Sequence, residues 1–512
     1  MSSSIVRGKY LVAKVIDSEK SQIIPDGALY QKDGEIVAVG SYSNIKAAYN
    51  PDREIGSDSH LIIPGLVNAH HHIGLTPFQL GIPDLALEPW ITARYGMRNA
   101  DPYLDTLYCA IQMIESGITT VMHNHGAGGT TNAADQVKLG KQVLKGYQES
   151  GMRAAFSFMF RDQNNLVYQE DDNFIASLPS ELGARAKEQV TPNSPSSDEY
   201  FDVFTELHQS FSNDNRINIF LAPGNVQWCS DEFFQAAKEY AARYKTGIHI
   251  HLQESIYQKI YGLRTWNKTP LAHLEDLGIL GPELSCAHGV WLNDSDIEIL
   301  SRTRTIICHN ASSNLRLKSG VAPLNRLVEM GVTVGIGIDE AGINDDNDML
   351  QEMRLVQKIH RMPGVMTPSP TSHQILQMST VNGAQATLFN SQVGTLEPGK
   401  RADIVLVNLT GITEPYLHPS NNIIDSLIYR GRASDVETVI VDGEVVMENK
   451  TMTKVNKNDV WEALKEHMST PLTEKEKAKA QLGRDLLPYV NNFYAQWDIQ
   501  AERPFYSYND MK

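Results

Sequence analysis

The stretch Pro64-Gly65-Leu66-Val67-Asn68-Ala69-His70-His71-His72 decides how the rest of the chain is read. A short apolar run ends there in three consecutive histidines. On a strand, residues i and i+2 share a face, so His70 and His72 can grip one ion while His71 points the other way. An H-x-H pair alone is a weak sign. It gains weight because other metal-ligating residue types also end apolar runs: His251 in Gly247-Ile248-His249-Ile250-His251, His288 in Cys286-Ala287-His288, and Asp339 in Val334-Gly335-Ile336-Gly337-Ile338-Asp339. Glu254 follows His251 three residues on. Histidine and carboxylate ligands from separate strands suit zinc or another borderline divalent ion, with water completing the site.

These runs belong to a longer pattern. From Leu61 to about residue 390, short apolar runs alternate with helical segments; besides those above they include Leu61-Ile62-Ile63-Pro64, Ile118-Thr119-Thr120-Val121, Ala154-Ala155-Phe156-Ser157-Phe158, Ile217-Asn218-Ile219-Phe220-Leu221 and Thr305-Ile306-Ile307-Cys308. Repeated β-α units predict a parallel sheet, and about eight of them over roughly 300 residues predict an α/β fold of the (β/α)8, TIM-like barrel type. The polar strand ends would then meet at the C-terminal mouth of the barrel.

The two ends of the chain resemble one another and differ from the middle. Tyr10 to Ile16, Ala28-Leu29-Tyr30 and Glu35 to Gly40 read as strands separated by turns. Thr438 to Val441, an Asp442-Gly443 turn and Val445 to Met447 read as a hairpin. Residues 456–500 have helical composition.

Composition narrows the function. A chain of 512 residues, 41% of them hydrophobic, can bury a large core. Its 45 basic and 61 acidic residues leave a net charge of −16, which argues against nucleic acid or an anionic membrane as partner. No apolar stretch approaches the roughly 20 residues of a membrane span. The first residues lack the apolar core of a secretory signal. Cys109, Cys229, Cys286 and Cys308 are scattered, as reduced thiols of a cytosolic protein are. A cytoplasmic enzyme acting on a small molecule is expected.

Several motifs together are similar to those of the amidohydrolase superfamily, in particular its branch of chlorohydrolases, triazine hydrolases and purine- or cytosine-type deaminases, with a further similarity to phenylurea hydrolases. They are the P-G-x-V-N-x-H-x-H opening, His251-x-x-Glu254, Ala287-His288-Gly289, Ser312 to Leu317, Gly337-Ile338-Asp339, and Leu396-Glu397-Pro398-Gly399-Lys400-Arg401-Ala402-Asp403. The resemblance implies a barrel over 63–390, a small β-sandwich domain built from 1–62 and 391–450, and a helical extension over 451–512. It implies one divalent ion, Zn2+ first, with Fe2+, Co2+ and Mn2+ also compatible. The ligands would be His70, His72, His251 and Asp339. A second ion would need a bridging lysine or glutamate on the fourth strand, and Ile217 to Pro223 offers neither. His249 shares a face with His251 and competes with it; the spacing to Glu254 favours His251. A homo-oligomer is expected, and the helical tail could serve its interface.

Bound divalent ions make hydroxide available near neutral pH. By resemblance Asp339 would act as base, Glu254 would carry a proton to nitrogen, and His288 would steady developing charge. A first-turn carboxylate favoured by the helix dipole is the plain alternative for Glu254. Trp90 could stack on a flat substrate or pack in the core; Trp228 and Trp291 stand likewise. His123 and His125 could line the pocket or bond within a loop. Asn314 would fix the seventh loop. The expected reaction is hydrolytic removal of an amine or ammonia from a small N-heterocycle. The rival is cleavage of a urea, carbamate or amide bond, and a non-catalytic binding protein is the third possibility.

Overall fold

The computed structural model describes residues 3–72, 74–126, 132–190, 195–340 and 342–499. At its centre lies a (β/α)8 barrel. In order, the barrel strands are Leu66–His71, Ile118–His125, Arg153–Phe160, a fourth strand in two short pieces (Ile217–Ile219 and Ala222–Pro223), Ile248–Leu252, Leu284–His288, Ile306–His309 and Val334–Ile336. Neighbouring strands pair parallel within the first four and within the last four. Intervening helices cover the outside, so both faces of each strand are buried and the strands read as nearly continuous apolar runs.

The barrel is joined at two seams. Between the fourth and fifth strands, Leu221 donates to Gly247 O at 3.1 Å and His249 donates to Leu221 O at 2.9 Å. Between the eighth and first, Asp339 N–H donates to His70 O at 2.9 Å, and Ile338 N–H donates to Asn68 Oδ1 at 3.0 Å. This second seam explains Gly337. A Cβ there would lie 2.3 Å from Asn310 Oδ1 and 2.8 Å from His70 Cβ, so only glycine lets the eighth strand approach the first histidine.

Strands from both chain ends form a second sheet of eight, in which Arg53–Pro64 lies between Ser3–Asp17 and Ile404–Asn408. The run Leu61-Ile62-Ile63-Pro64, read from the sequence among the barrel units, belongs here. It pairs antiparallel with Ile404 to Val407, and the barrel begins only at Leu66, one residue past the Gly65 turn. An apolar run of four residues fits either sheet, which is why periodicity could not place it.

A buried ion pair ties the two sheets together. Arg153, fully buried at the start of the third barrel strand, reaches Asp403 with Nη2–Oδ1 at 3.1 Å and Nε–Oδ2 at 3.3 Å, and donates to Asn215 O at 2.8 Å. Asp403 comes from the Gly399-Lys400-Arg401-Ala402-Asp403 motif, so that motif joins the sheets through a charge.

Two helices end the described chain, Lys457–Ser469 and Glu474–Ala495. The second starts with a capping box between Thr473 and Glu476. It lies against Leu87–Ala93 and Arg94–Gly96, the segment that follows the first barrel strand. Gly483 permits this approach, since a Cβ there would sit 3.0 Å from Thr92 O and from Tyr95 Cβ. No helix among the described residues is long and apolar enough to cross a membrane.

Candidate metal centre and pocket

Six residues named from the sequence meet at the C-terminal mouth of the barrel. Strand alternation turns His70 and His72 inward together. His251 is the penultimate residue of the fifth strand, His288 ends the sixth, and Asp339 follows the eighth. The ring nitrogens of His70, His72 and His251 can all lie within 4.8 Å of one another, and so can donor atoms of His70, His288 and Asp339. Asp339 Oδ1 is 3.3 Å from His72 Nε2 and 3.6 Å from His70 Nε2. The middle histidine, His71, turns away; its Nδ1 faces Asp339 O at 3.1 Å.

Hydrogen bonds behind the histidines fix which nitrogen faces inward. His72 Nδ1 lies 2.5 Å from Asn124 O, and His251 Nδ1 lies 2.8 Å from Gly224 O. A carbonyl only accepts, so both Nδ1 atoms carry the proton and both Nε2 atoms present lone pairs. Those two lone pairs face each other at 3.1 Å. Moreover, His70 Nε2, His288 Nε2 and Asp339 Oδ1 are buried without a hydrogen-bond partner. Converging acceptors with no donor between them repel one another unless a cation sits among them, so this donor set fits a divalent ion. Burial, and then the neighbouring imidazoles, hold His70 and His251 well below the usual histidine range, which keeps them neutral as ligands must be.

His249 lies outside this group. Its Nε2 is 2.8 Å from His70 Nδ1, and its Nδ1 is 2.7 Å from Ser285 Oγ. It buttresses His70, as residues behind metal-binding imidazoles commonly do. Ser313 Oγ similarly donates to Asp339 Oδ2 at 2.7 Å. His288 is held on its Nδ1 edge by Asn314 Oδ1 at 2.9 Å, so Asn314 orients a histidine rather than only its own loop. His288 and Asp339 both have left-handed backbones, with φ of 77° and 63°. Non-glycine residues pay roughly 1–3 kcal/mol for such conformations, which cluster where function demands a fixed side chain.

Glu254 Oε2 lies 3.6 Å from His288 Nε2. Its backbone N–H donates to Gln258 Oε1 at 2.8 Å, and Ser255, not Glu254, caps the helix Ile256–Trp266. Glu254 thus precedes the helix, and the first-turn dipole reading loses its basis. Burial, followed by repulsion from Asp339, Glu88 and Glu340, pushes its carboxyl well above the usual range.

A cavity of about 440 Å³ opens onto this cluster. Its wall includes His72, His251, Glu254, His288 and Asp339, together with Leu80, Leu87, Trp90, Met97, Met159, Trp228 and Leu317. Trp90 is therefore at the pocket, with Arg94 stacked on its ring at 4.7 Å. His123 is not in the wall. Its Nδ1 bonds Tyr147 OH at 2.6 Å on the covering helix Ala133–Ser150, and its Nε2 meets His125 Nδ1 at 2.9 Å. This corrects its assignment as a substrate contact: its ring is held against the helix layer by Tyr147, and His125, on the same side but at the strand end and nearer the barrel mouth, is the member of the pair that lines the cavity. Trp291 also lies elsewhere, donating to Ser319 O at 2.8 Å.

The sequence reading missed Arg94, Arg98, Asp105, Glu340 and Lys479, all in the cavity wall. Glu340 could have been suspected as the neighbour of Asp339. Lys479 gave no signal, since it arrives on the distant C-terminal helix.

Residues 61–446 match the model of the Amidohydrolase family. The chain belongs to the amidohydrolase family. It is 31% identical over 437 residues to a 5-methylthioadenosine/S-adenosylhomocysteine deaminase of Desulfitobacterium hafniense, spanning 84% of this chain and 91% of that protein. It is 29% identical over 475 residues to a 5'-deoxyadenosine deaminase of Methanosarcina barkeri, spanning 90% and 96%. Among solved amidohydrolase structures, the zinc-bound adenosine deaminase of Xanthomonas campestris superposes with a TM-score of 0.75 at 23% identity, over 91% of this chain and 97% of that one. The zinc complex of atrazine chlorohydrolase from Arthrobacter aurescens TC1 gives 0.77 at 20% identity, over 91% and 100%. These two likenesses show a shared fold.

Proposed function

We propose that this amidohydrolase removes ammonia hydrolytically from an amino-substituted N-heterocycle, with adenosine-type nucleosides as the first substrates to test. The observation that carries the reading is the pairing of Glu254 with the metal-type cluster: a buried carboxyl, its pKa pushed up by burial and by neighbouring carboxylates, beside His288 and inside the same cavity wall. The deaminase names of relatives that span most of the chain support it. His70, His72, His251 and Asp339 would hold one divalent ion, zinc first. When bound, such an ion lowers the pKa of water to about 7 and so supplies a nucleophile at neutral pH.

The chain's own groups manage the protons. Asp339, neighboured by His72 and His288, takes a proton from the attacking water. Glu254 delivers a proton to the ring nitrogen next to the amino-bearing carbon, making that carbon more electrophilic. His288, whose Nδ1–H is held by Asn314, keeps its Nε2 lone pair free to accept a hydrogen bond from the attacking water beside Asp339. A C–O bond forms and the C–N bond breaks. One water proton ends on the ring nitrogen and the other leaves with ammonia. Trp90 and Trp228 offer flat apolar faces for the ring system.

The test is turnover of 5'-deoxyadenosine and 5'-methylthioadenosine by zinc-loaded protein, following ammonia and the product by mass. Release of ammonia with the ring and ribose intact is expected. Glu254→Gln keeps size and removes the acidic proton, so kcat should fall on the order of 10²–10⁴-fold with metal content unchanged. Cleavage of a urea, carbamate or amide panel with no ammonia from any amino-heterocycle would replace this reading with its rival.

A further inference from the structure

The cavity has a polar part that the proposed proton transfers leave unused. Three basic side chains reach its wall: Arg94, Arg98 and Lys479. Arg94 Nη1 is 2.7 Å from Glu340 Oε1. Arg98 donates to Met468 O at 2.8 Å and Thr470 O at 2.7 Å, and lies 3.8 Å from Glu476. Asp105, a further acid of that wall besides Glu254, Asp339 and Glu340, accepts from Gly74 and Leu75 N–H at 2.8 and 2.7 Å. Lys479 is different. Among the described residues no carboxylate pairs with it, and its ammonium lies 5.8 Å from the centre of the Tyr95 ring.

The position of Lys479 is built rather than incidental. The helix that carries it is held to segment 87–96 by the close approach at Gly483, while Ala480 Cβ would meet a Cβ on Gly96 at 3.8 Å. Lys479 is half-buried between those contacts and the cavity. Burial, and then the nearby Lys475, hold its pKa below the ordinary lysine value. A half-buried cation without a counter-charge is costly in a wall whose other basic groups are matched, and an anion from outside would remove that cost.

We propose that Lys479 is a specificity residue that binds an anionic oxygen group, of the carboxylate class, on the substrate. The C-terminal helix would then be part of the substrate site and not only an appended element. The proposal rests on the deaminase reading for the remainder of the substrate.

The test compares adenosine-5'-carboxylic acid with adenosine-5'-carboxamide, which differ by one charge at one place. Their dissociation constants are measured by calorimetry on the full zinc-loaded chain carrying Glu254→Gln, so that turnover does not interfere, with and without Lys479→Met or Lys479→Arg. With Lys479 present the carboxylate should bind roughly ten- to a hundredfold more tightly than the amide, as charged hydrogen bonds do. Lys479→Met should erase that preference while leaving amide affinity and melting temperature unchanged, and Lys479→Arg should retain most of it. Equal affinities with Lys479 in place, or a preference that survives Lys479→Met, would overturn the assignment. Failure of the deaminase reading has another signature: neither probe binds any variant, and the Lys479 assignment falls with it.

Discussion

Replacing His249 probes whether it supports a ligand or is one. The ring is fully buried, 2.8 Å from His70 Nδ1 and 2.7 Å from Ser285 Oγ. Burial, then His72 and His288, lower its pKa to about 3, so it is neutral at any working pH. With His249 Nε2 accepting, His70 Nδ1 carries its proton and His70 Nε2 stays a lone pair aimed into the cluster. His249→Phe fills the space but removes that acceptor. The His70 N–H is then buried without a partner, a loss of about 1–3 kcal/mol if the ring stays in place. Removing the groups behind a metal-binding histidine typically costs 10–100-fold in metal affinity. At about 1.4 kcal/mol per decade that is roughly 1.4–2.8 kcal/mol, so the two routes agree. Zinc affinity of His249→Phe, measured by competition with a chromophoric chelator, should therefore fall by one to two decades. His70→Ala should fall much further. Unchanged affinity would refute the buttress, whereas a loss as complete as that of His70→Ala would make His249 a ligand.

Other outcomes follow from the same geometry. His71→Ala should leave about one zinc per chain in elemental analysis, because its ring faces Asp339 O and not the cluster, while His72→Ala should lose the ion. Asp403→Asn should destabilise the fold by about 3–5 kcal/mol in urea unfolding, since the fully buried Arg153 loses its bidentate partner; a change under about 1 kcal/mol would mean Asp442, 3.8 Å away, carries the pair. Glu88, buried against Ser255 and Tyr168, has its pKa raised to about 7, so the native state holds a proton that the unfolded chain releases near pH 4.5. Its contribution is fully present below about pH 4.5 and is lost as pH rises to about 7. Relative to Glu88→Gln, the unmodified chain should therefore lose stability between those limits and level off above them, and a difference that stays flat from pH 4 to 8 would contradict this.

The parts of the site that the sequence revealed are those the backbone places by local rules. His70 and His72 share a face because alternation is a property of any strand, and His251, His288 and Asp339 converge because parallel strands end together at one rim. Glu254 was legible through its spacing from His251. His123 was misread for the same kind of reason. An H-x-H pair looks alike whether its strand points it into the barrel or toward a covering helix, and only Tyr147, on a separate helix, decides the matter. The run Leu61 to Pro64 was equally ambiguous, because apolar content alone does not say which of two sheets a strand joins.

What stayed hidden depends on contacts between distant segments. Lys479 meets the cavity only because Gly483 lets its helix lie against Thr92 and Tyr95, almost 400 residues earlier in the chain, and no local pattern records that approach. The division has a physical basis. The metal-type centre must tolerate almost no displacement, so its donors ride on strands whose geometry is uniform and readable, and its backbone strain at His288 and Asp339 is held by hydrogen bonds to neighbouring strands and loops. Substrate selection instead uses long side chains on segments brought together by packing, where one residue can change without disturbing the barrel. Substitutions at Arg94 or Lys479 should for that reason alter which molecule is accepted while sparing the metal, and substitutions at His249, Asn314 or Ser313 should weaken the centre for every substrate alike.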